Sequence, residues 1–255
     1  MSLLRANGLS VSIAGLEVCR ALDLTVTAGS IWAILGRNGV GKTTLLRTLA
    51  GLRSIDSGEV LLEEQPLTAW PQREMARKIG VLFQDQGTLF PGTVLETALI
   101  GRHPHLERWR WESENDIALA HAALTGVGLS NMDTRQLATL SGGERQRLAI
   151  ATLLCQEPQL YLLDEPSNHL DPHHQIAVMN TLCRRAHTSK HAAIMVMHDV
   201  NLAMRYCDHA LLLYGNGETE HGPIAHTLTA ANLSRLYTHP MSATNTARGE
   251  FFYPE

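Results

Sequence analysis

The chain has 255 residues, 44% of them hydrophobic, and a formal net charge of −4, so it can bury a substantial core in one domain or two small ones. It has no long run of Lys or Arg to neutralise a phosphate backbone, which argues against nucleic acid as the main partner. Four scattered cysteines without a C-x-x-C pair point to free thiols in a reducing compartment. No apolar stretch approaches the ~20 residues of a membrane-crossing helix, and residues 1–13 do not read as a signal peptide.

In chain order, Leu3 to Val26 reads as short strands separated by Gly8, Gly15 and the Asp23 region. Ile31 to Leu35 is a continuous apolar run of the kind found in buried parallel strands. Lys42 to Ala50 follows as a helix with Leu45, Leu46 and Leu49 on one face and Gly51 at its C-terminal cap. Ile79 to Phe83 is another short strand. From Gly92 to about Gln156 the pattern is mainly helical, with breaks near Pro104 and between Gly126 and Ser130. Strands return at Leu160 to Leu163, Ala192 to Met197 and Ala210 to Tyr214, the last leading into a Gly215-Asn216-Gly217 turn. The stretch 230–255 carries no motif, although Phe251-Phe252-Tyr253 suits a final strand.

Gly36-Arg37-Asn38-Gly39-Val40-Gly41-Lys42-Thr43 matches G-x-x-x-x-G-K-[ST] between a strand and a helix. Its glycines let backbone N–H groups curl toward phosphate oxygens, with the helix N-terminus adding a favourable dipole. Lys42, in what reads as a solvent-facing loop with no structural role, reaches the outer phosphates. The Thr43 hydroxyl can ligate Mg²⁺, and Thr44 continues the site. Leu160 to Pro166 is an apolar strand ending in two carboxylates. Asp164 at its tip suits Mg²⁺, and Glu165 suits orientation or deprotonation of an attacking water. Leu140-Ser141-Gly142-Gly143-Glu144 has capping-box spacing, so a helix should begin there with exposed N–H groups. On its own that segment reads better as a simple capped helix.

Together these segments resemble the ABC transporter ATPase family over most of the chain. The resemblance implies an α/β P-loop NTPase core with a mainly parallel sheet, an N-terminal antiparallel β subdomain and a helical insert. The expected division is core at 1–85 and 155–230, insert at 86–154 and tail at 231–255. ATP and Mg²⁺ are the implied ligands, with hydrolysis as the reaction. Residues 36–44 would bind ATP, and Thr43, Gln84 and Asp164 would hold Mg²⁺. Gln84 resembles the Q-loop glutamine, His198 the switch histidine at the γ-phosphate, and Glu165 the catalytic carboxylate. Ser141, Gly142, Gly143 and Glu144 form the signature, which in the family meets ATP held by the other subunit. Ser167 to Asp171 looks like the D-loop at the dimer seam. One departure stands out. Ile13, Leu16 and Val18 lie where the family usually has an aromatic ring on adenine, so an apolar clamp by one of them, with Ile13 as the first candidate, is expected.

Gly101-Arg102-His103-Pro104-His105, Asp171-Pro172-His173-His174-Gln175 and Met197 to Ala203 further resemble importers of ferric siderophores, haem and cobalamin. That resemblance implies a homodimer bound to two integral-membrane permease subunits at the cytoplasmic face of the inner membrane. A periplasmic substrate-binding protein would act indirectly, and no nucleic acid would be involved. A groove around residues 90–111 is the expected permease contact; Trp109 and Trp111, flanking Arg110, read equally as partner-facing or as packed onto the insert. The alternative is a stand-alone ABC ATPase of DNA repair or ribosomes, although those usually carry long coiled-coil inserts or tandem cassettes. Clustered histidines (His169, His173, His174; His103, His105) have ligand-like spacing, but spacing without a second shell is weak evidence for a metal.

Overall fold

The computed structural model describes residues 2–84, 91–107, 110–246 and 249–255. β1 (Ser2–Ile13) and β2 (Leu16–Thr27) form an antiparallel hairpin. Ala14 and Gly15 close it with φ of 49° and 83°, the left-handed pair that a two-residue turn requires. Here the sequence expectation of short strands is corrected. Only Gly15 ends a strand. The pairing shifts register between Ala6 and Leu9, and Gly8 N–H donates to Asp23 Oδ1 at 2.7 Å. Two residues expected to break the strands thus meet across a bulge that the sheet absorbs.

β3 (Ile31–Gly36) is buried throughout and leads into α1 (Lys42–Leu49). That helix ends in a paired cap. Gly51 N–H donates to Thr48 O and Leu52 N–H to Arg47 O, both at 3.0 Å, with Gly51 at φ 71°. β4 (Ser57–Leu62) and β5 (Gln65–Pro66) complete an antiparallel sheet ordered β2-β1-β4-β5. α2 (Gln72–Lys78) then delivers β6 (Ile79–Leu82) to the central sheet.

Next comes a helical region: α3 (Val94–Leu99), α4 (Glu114–Gly126) and α5 (Gly142–Gln156). Each begins with a reciprocal capping box, at Thr93/Glu96, Ser113/Asp116 and Ser141/Glu144. A 3-10 turn at Ile100–Arg102 lies so close to α5 that a Cβ on Gly101 would sit 2.1 Å from Thr152 O. Buried Arg102 bonds Asp116 Oδ1 and Cys155 O, both at 2.8 Å. The Ser113 hydroxyl and amide, seconded by Arg102, hold the Asp116 carboxyl down to about 2.

Then follow β7 (Leu160–Asp164), α6 (Pro172–Ala186), β8 (Ala192–Val196), α7 (Val200–Tyr206), β9 (His209–Leu213), β10 (Thr219–Pro223), α8 (Ile224–Thr227) and α9 (Ala230–Tyr237). The central sheet runs β10-β9-β3-β8-β7-β6, parallel except for β10. One core lies between this sheet and the N-terminal sheet, with α1 sandwiched there. The other lies on the opposite face beneath α3 to α7. Fully burying each leucine contributes about 1.5–3 kcal/mol, so the two faces fix the sheet's position. Phe251 to Tyr253 do form a strand, but in a separate hairpin of β11 (Met241–Thr246) and β12 (Gly249–Pro254) rather than in the central sheet.

All four cysteines are free and buried. Burial pushes Cys19 and Cys155 up to about 11, Cys183 to about 12 and Cys207 well above its ordinary range. Among the described residues, no helix is long and apolar enough to cross a membrane.

Candidate active site

Parallel register brings the site together. Leu82 pairs with Leu163, Asp164 with Val196, and Val196 with Ile34, so β6, β7, β8 and β3 end side by side. The residues just past those ends are Gln84, Glu165, His198 and the 36–44 loop. Open parallel sheets bind ligands at this edge.

The loop is shaped by its glycines. A Cβ on Gly36 would lie 2.8 Å from Leu213 O and 2.9 Å from Val40 Cγ2. Gly41, at φ 96°, lies over Val18, and a Cβ there would come within 2.4 Å of Val18 Cγ2. Of the three candidate adenine contacts, Val18 is thus buried beneath the loop. Leu16 is half-buried and Ile13, 40% exposed, lines the cleft.

Lys42 departs from the sequence expectation. It is buried, not solvent-facing, and its Nζ donates to Gly36 O at 2.8 Å and Arg37 O at 3.0 Å. The ammonium therefore does have a structural role, tying the loop to its own start. Burial lowers its pKa, while Glu165 and Asp164 act in the opposite sense.

Asp164 is fully buried at the end of β7 and accepts from Thr43 Oγ1 at 2.7 Å through Oδ2. Among the described residues, its Oδ1 is buried without a hydrogen-bond partner. Burial raises its pKa against the opposing pull of Thr43. Glu165 turns left-handed, φ 53°, and leaves the strand. Its Oε2 accepts from Gln84 Nε2 at 3.1 Å and closely from Asn168 Nδ2, while Oε1 contacts His198 Nε2. Asn168 stood in the sequence only as part of the D-loop-like segment. The available signal was its position three residues beyond Glu165, where a tight turn returns its side chain to the carboxylate.

Ile13, Asn38, Gly39, Gly41, Lys42, Thr43, Thr44, Gln84, Glu165 and His198 line one cleft of about 420 Å³. Arg37 and Val40 belong to the same loop. A cavity of about 630 Å³ beyond the end of α1, lined by Leu52, Ile55 and Trp70 among others, is larger but gathers no comparable set of carboxylate, lysine and histidine.

The structure does not bring Ser141, Gly142, Gly143 and Glu144 to that cleft. Ser141, Gly143, Glu144 and Asp171 line a second concavity of about 580 Å³ with Arg147, His169, Leu170 and His174. Ser141 Oγ accepts from Glu144 N–H at 3.3 Å, and Glu144 Oε2 accepts from Ser141 N–H at 2.7 Å. That backbone bond, with Arg135 adding to it, holds the Glu144 carboxyl below its ordinary range. Among the described residues, a Cβ on Gly142 would meet nothing within 4 Å, whereas one on Gly143 would lie 3.1 Å from His169 O, so the helix start is open at Gly142. Ser167 is half-buried in the turn between β7 and α6, and Asp171 caps α6. Gln146 Nε2 donates to Pro166 O at 3.3 Å, a link between α5 and this turn that the sequence did not signal.

The ABC transporter family profile matches residues 19–168. The hemin import ATP-binding protein HmuV of Myxococcus xanthus is 38% identical over 243 residues, covering 90% of each chain. The ferric enterobactin transport ATP-binding protein FepC of Escherichia coli K12 is 35% identical over 237 residues, covering 92% of this chain and 86% of its own. Among solved structures, a chain of a transporter described as metal-chelate type, in an inward-facing conformation, superposes with a TM-score of 0.85 at 27% identity, covering 100% of this chain and 98% of its own. The profile and the full-length relatives place the chain among the ABC transporters, as an ATP-binding-cassette ATPase.

Proposed function

We propose that this ATPase powers the import of a metal chelate: haem, a ferric siderophore or cobalamin. The cargo class rests on one observation. Relatives matching along most of the chain are named for import of hemin, ferric enterobactin and petrobactin. Two copies act together, docked on two integral-membrane permease subunits at the cytoplasmic face, with a periplasmic binding protein delivering cargo. Within 1–255, residues 1–85 and 155–230 act as the nucleotide core, 86–154 as the insert and 231–255 as a tail. The insert provides the permease groove. Of its expected lining, Trp111 is 90% exposed, while Phe90 and Trp109 lie outside the described residues.

In the cleft, the N–H groups of residues 36–44 cradle phosphates, and Ile13 covers adenine with an aliphatic surface. Lys42 exchanges its two carbonyl partners for β- and γ-phosphate oxygens. Mg²⁺ fits here because Asp164 holds the Thr43 hydroxyl through Oδ2 while its buried Oδ1 has no partner among the described residues, with Gln84 lining the same cleft, and hard cations prefer oxygen donors. When bound, the ion would neutralise phosphate charge. Glu165 accepts the proton of the attacking water once one of its present donors gives way, and His198 then contacts the γ-phosphate.

The nucleotide of one copy is completed by Ser141, Gly142, Gly143 and Glu144 of the other, with Ser167 and Asp171 at the seam. The separation of the two concavities within one chain supports this arrangement. Asn38→Cys and Ser141→Cys should therefore cross-link between copies only when ATP is present. ATP-independent or purely intrachain links would overturn the shared site. For the cargo, ATPase and permeases reconstituted in liposomes should take up one of the three chelate classes in an ATP-dependent manner. Failure with all three would remove the cargo assignment and leave the ATPase intact.

A further inference from the structure

The C-terminal hairpin is joined to the helix that follows His198. Asn201, in the first turn of α7, makes a two-way bond with one residue of β12. Its Nδ2 donates to Phe252 O at 3.0 Å, and its Oδ1 accepts from Phe252 N–H at 2.8 Å. The side-chain amide therefore pairs with the strand's backbone much as a neighbouring strand would. Phe252 is 3% exposed and enters the same core as Val200, Ala203 and Tyr206 of α7. Its neighbours Phe251 and Tyr253 stay exposed.

The other end of α7's first turn holds the site. Asp199 caps the helix, its Oδ1 accepting from Asn201 N–H at 2.8 Å and Leu202 N–H at 3.1 Å. His198 immediately precedes that cap and contacts Glu165. Behind it, Met197 N–H is fixed to Ile34 O at 3.1 Å. His198 therefore sits on a short segment held by β3 on one side and, through Asp199 and Asn201, by the hairpin on the other. The hairpin is anchored in turn at α9, where Met241 N–H donates to Ser234 Oγ at 2.8 Å.

We propose that Asn201 is a positioning residue, tying the C-terminal hairpin to α7 so that His198 is held in its working place. The tail thereby takes part in hydrolysis without touching nucleotide. The inference rests on the proposed role of His198 at the γ-phosphate.

Three full-chain variants test it. His198→Ala should lose most ATPase activity. Asn201→Ala should lower kcat by about tenfold, within the range that small misplacements of reacting groups produce, with KM for ATP changed less than twofold. Amide exchange in Asn201→Ala should quicken at 199–203 and not across β3 and β7. Phe252→Leu keeps the backbone bonds and loses only packing, so it should lower Tm while leaving kcat within twofold. Native kcat in Asn201→Ala beside an inactive His198→Ala would overturn the tether alone. Equal kcat losses in Asn201→Ala and Phe252→Leu would also overturn it, in favour of general packing. A fully active His198→Ala would remove the role of His198 and the inference with it.

Discussion

The P-loop cleft and the concavity at the start of α5 differ in how their polar groups are held. In the cleft, Lys42 is bound to two carbonyls, Thr43 to Asp164, and Glu165 to Gln84, Asn168 and His198. Nucleotide must exchange into a network that already exists. At α5, the Ser141 and Glu144 side chains satisfy each other's backbone, and the helix start at Gly142 remains open. In the proposed roles the first region serves chemistry and the second receives an anion, so damage to each should have a different signature.

The sharpest separation comes from Glu165→Gln. The amide keeps the shape and loses the base, so hydrolysis should fall by at least about a hundredfold while ATP binding persists. Single-turnover hydrolysis beside a binding titration measures both, and near-native turnover would remove Glu165 from its role. A smaller effect is expected across the proposed dimer seam. Ser141→Arg should reduce steady-state ATPase by about tenfold or more, equivalent to about 1.4 kcal/mol, while ATP affinity of the lone chain stays within twofold. Loss of that affinity would mean that the two concavities are one site.

The smallest effect concerns the frame that carries α5. Asp116 has its folded pKa depressed to about 2 from 3.8, so its contribution to stability is present above about pH 3.8 and is lost as pH falls toward 2. Asp116→Asn should therefore lower Tm near neutrality, and the gap from the native chain should narrow as pH drops through that window. Thermal melts at several pH values read it directly. A constant gap would assign the loss to packing around Arg102 instead.

The glycine-lysine loop, the buried strand before it and the capped helix at Ser141 were legible because each is local. Spacing, apolar runs and capping chemistry lie within a few residues. What escaped depends on how the backbone folds back on itself, or on partners far apart in sequence. Gly8 and Asp23 look like breakers alone, and only their mutual hydrogen bond turns them into a bulge inside two long strands. Lys42 reads as a free cation until the curl of the loop brings its own carbonyls to it. Asn168 gains significance from the left-handed turn at Glu165, a backbone choice the residue type does not advertise. Likewise, Phe252 matters through Asn201, fifty-one positions away in the chain.

The sulfur chemistry of the chain has a consequence of its own. Cys19, Cys155, Cys183 and Cys207 are buried, and burial keeps each of them protonated far above neutral pH. Oxidants and alkylating agents act on exposed thiolates, and the folded chain offers them none. The four native cysteines are thus poor targets for oxidation in the folded chain. The same silence makes the chain a blank ground for thiol probes: a label that attaches to the folded protein reports a cysteine that was placed there.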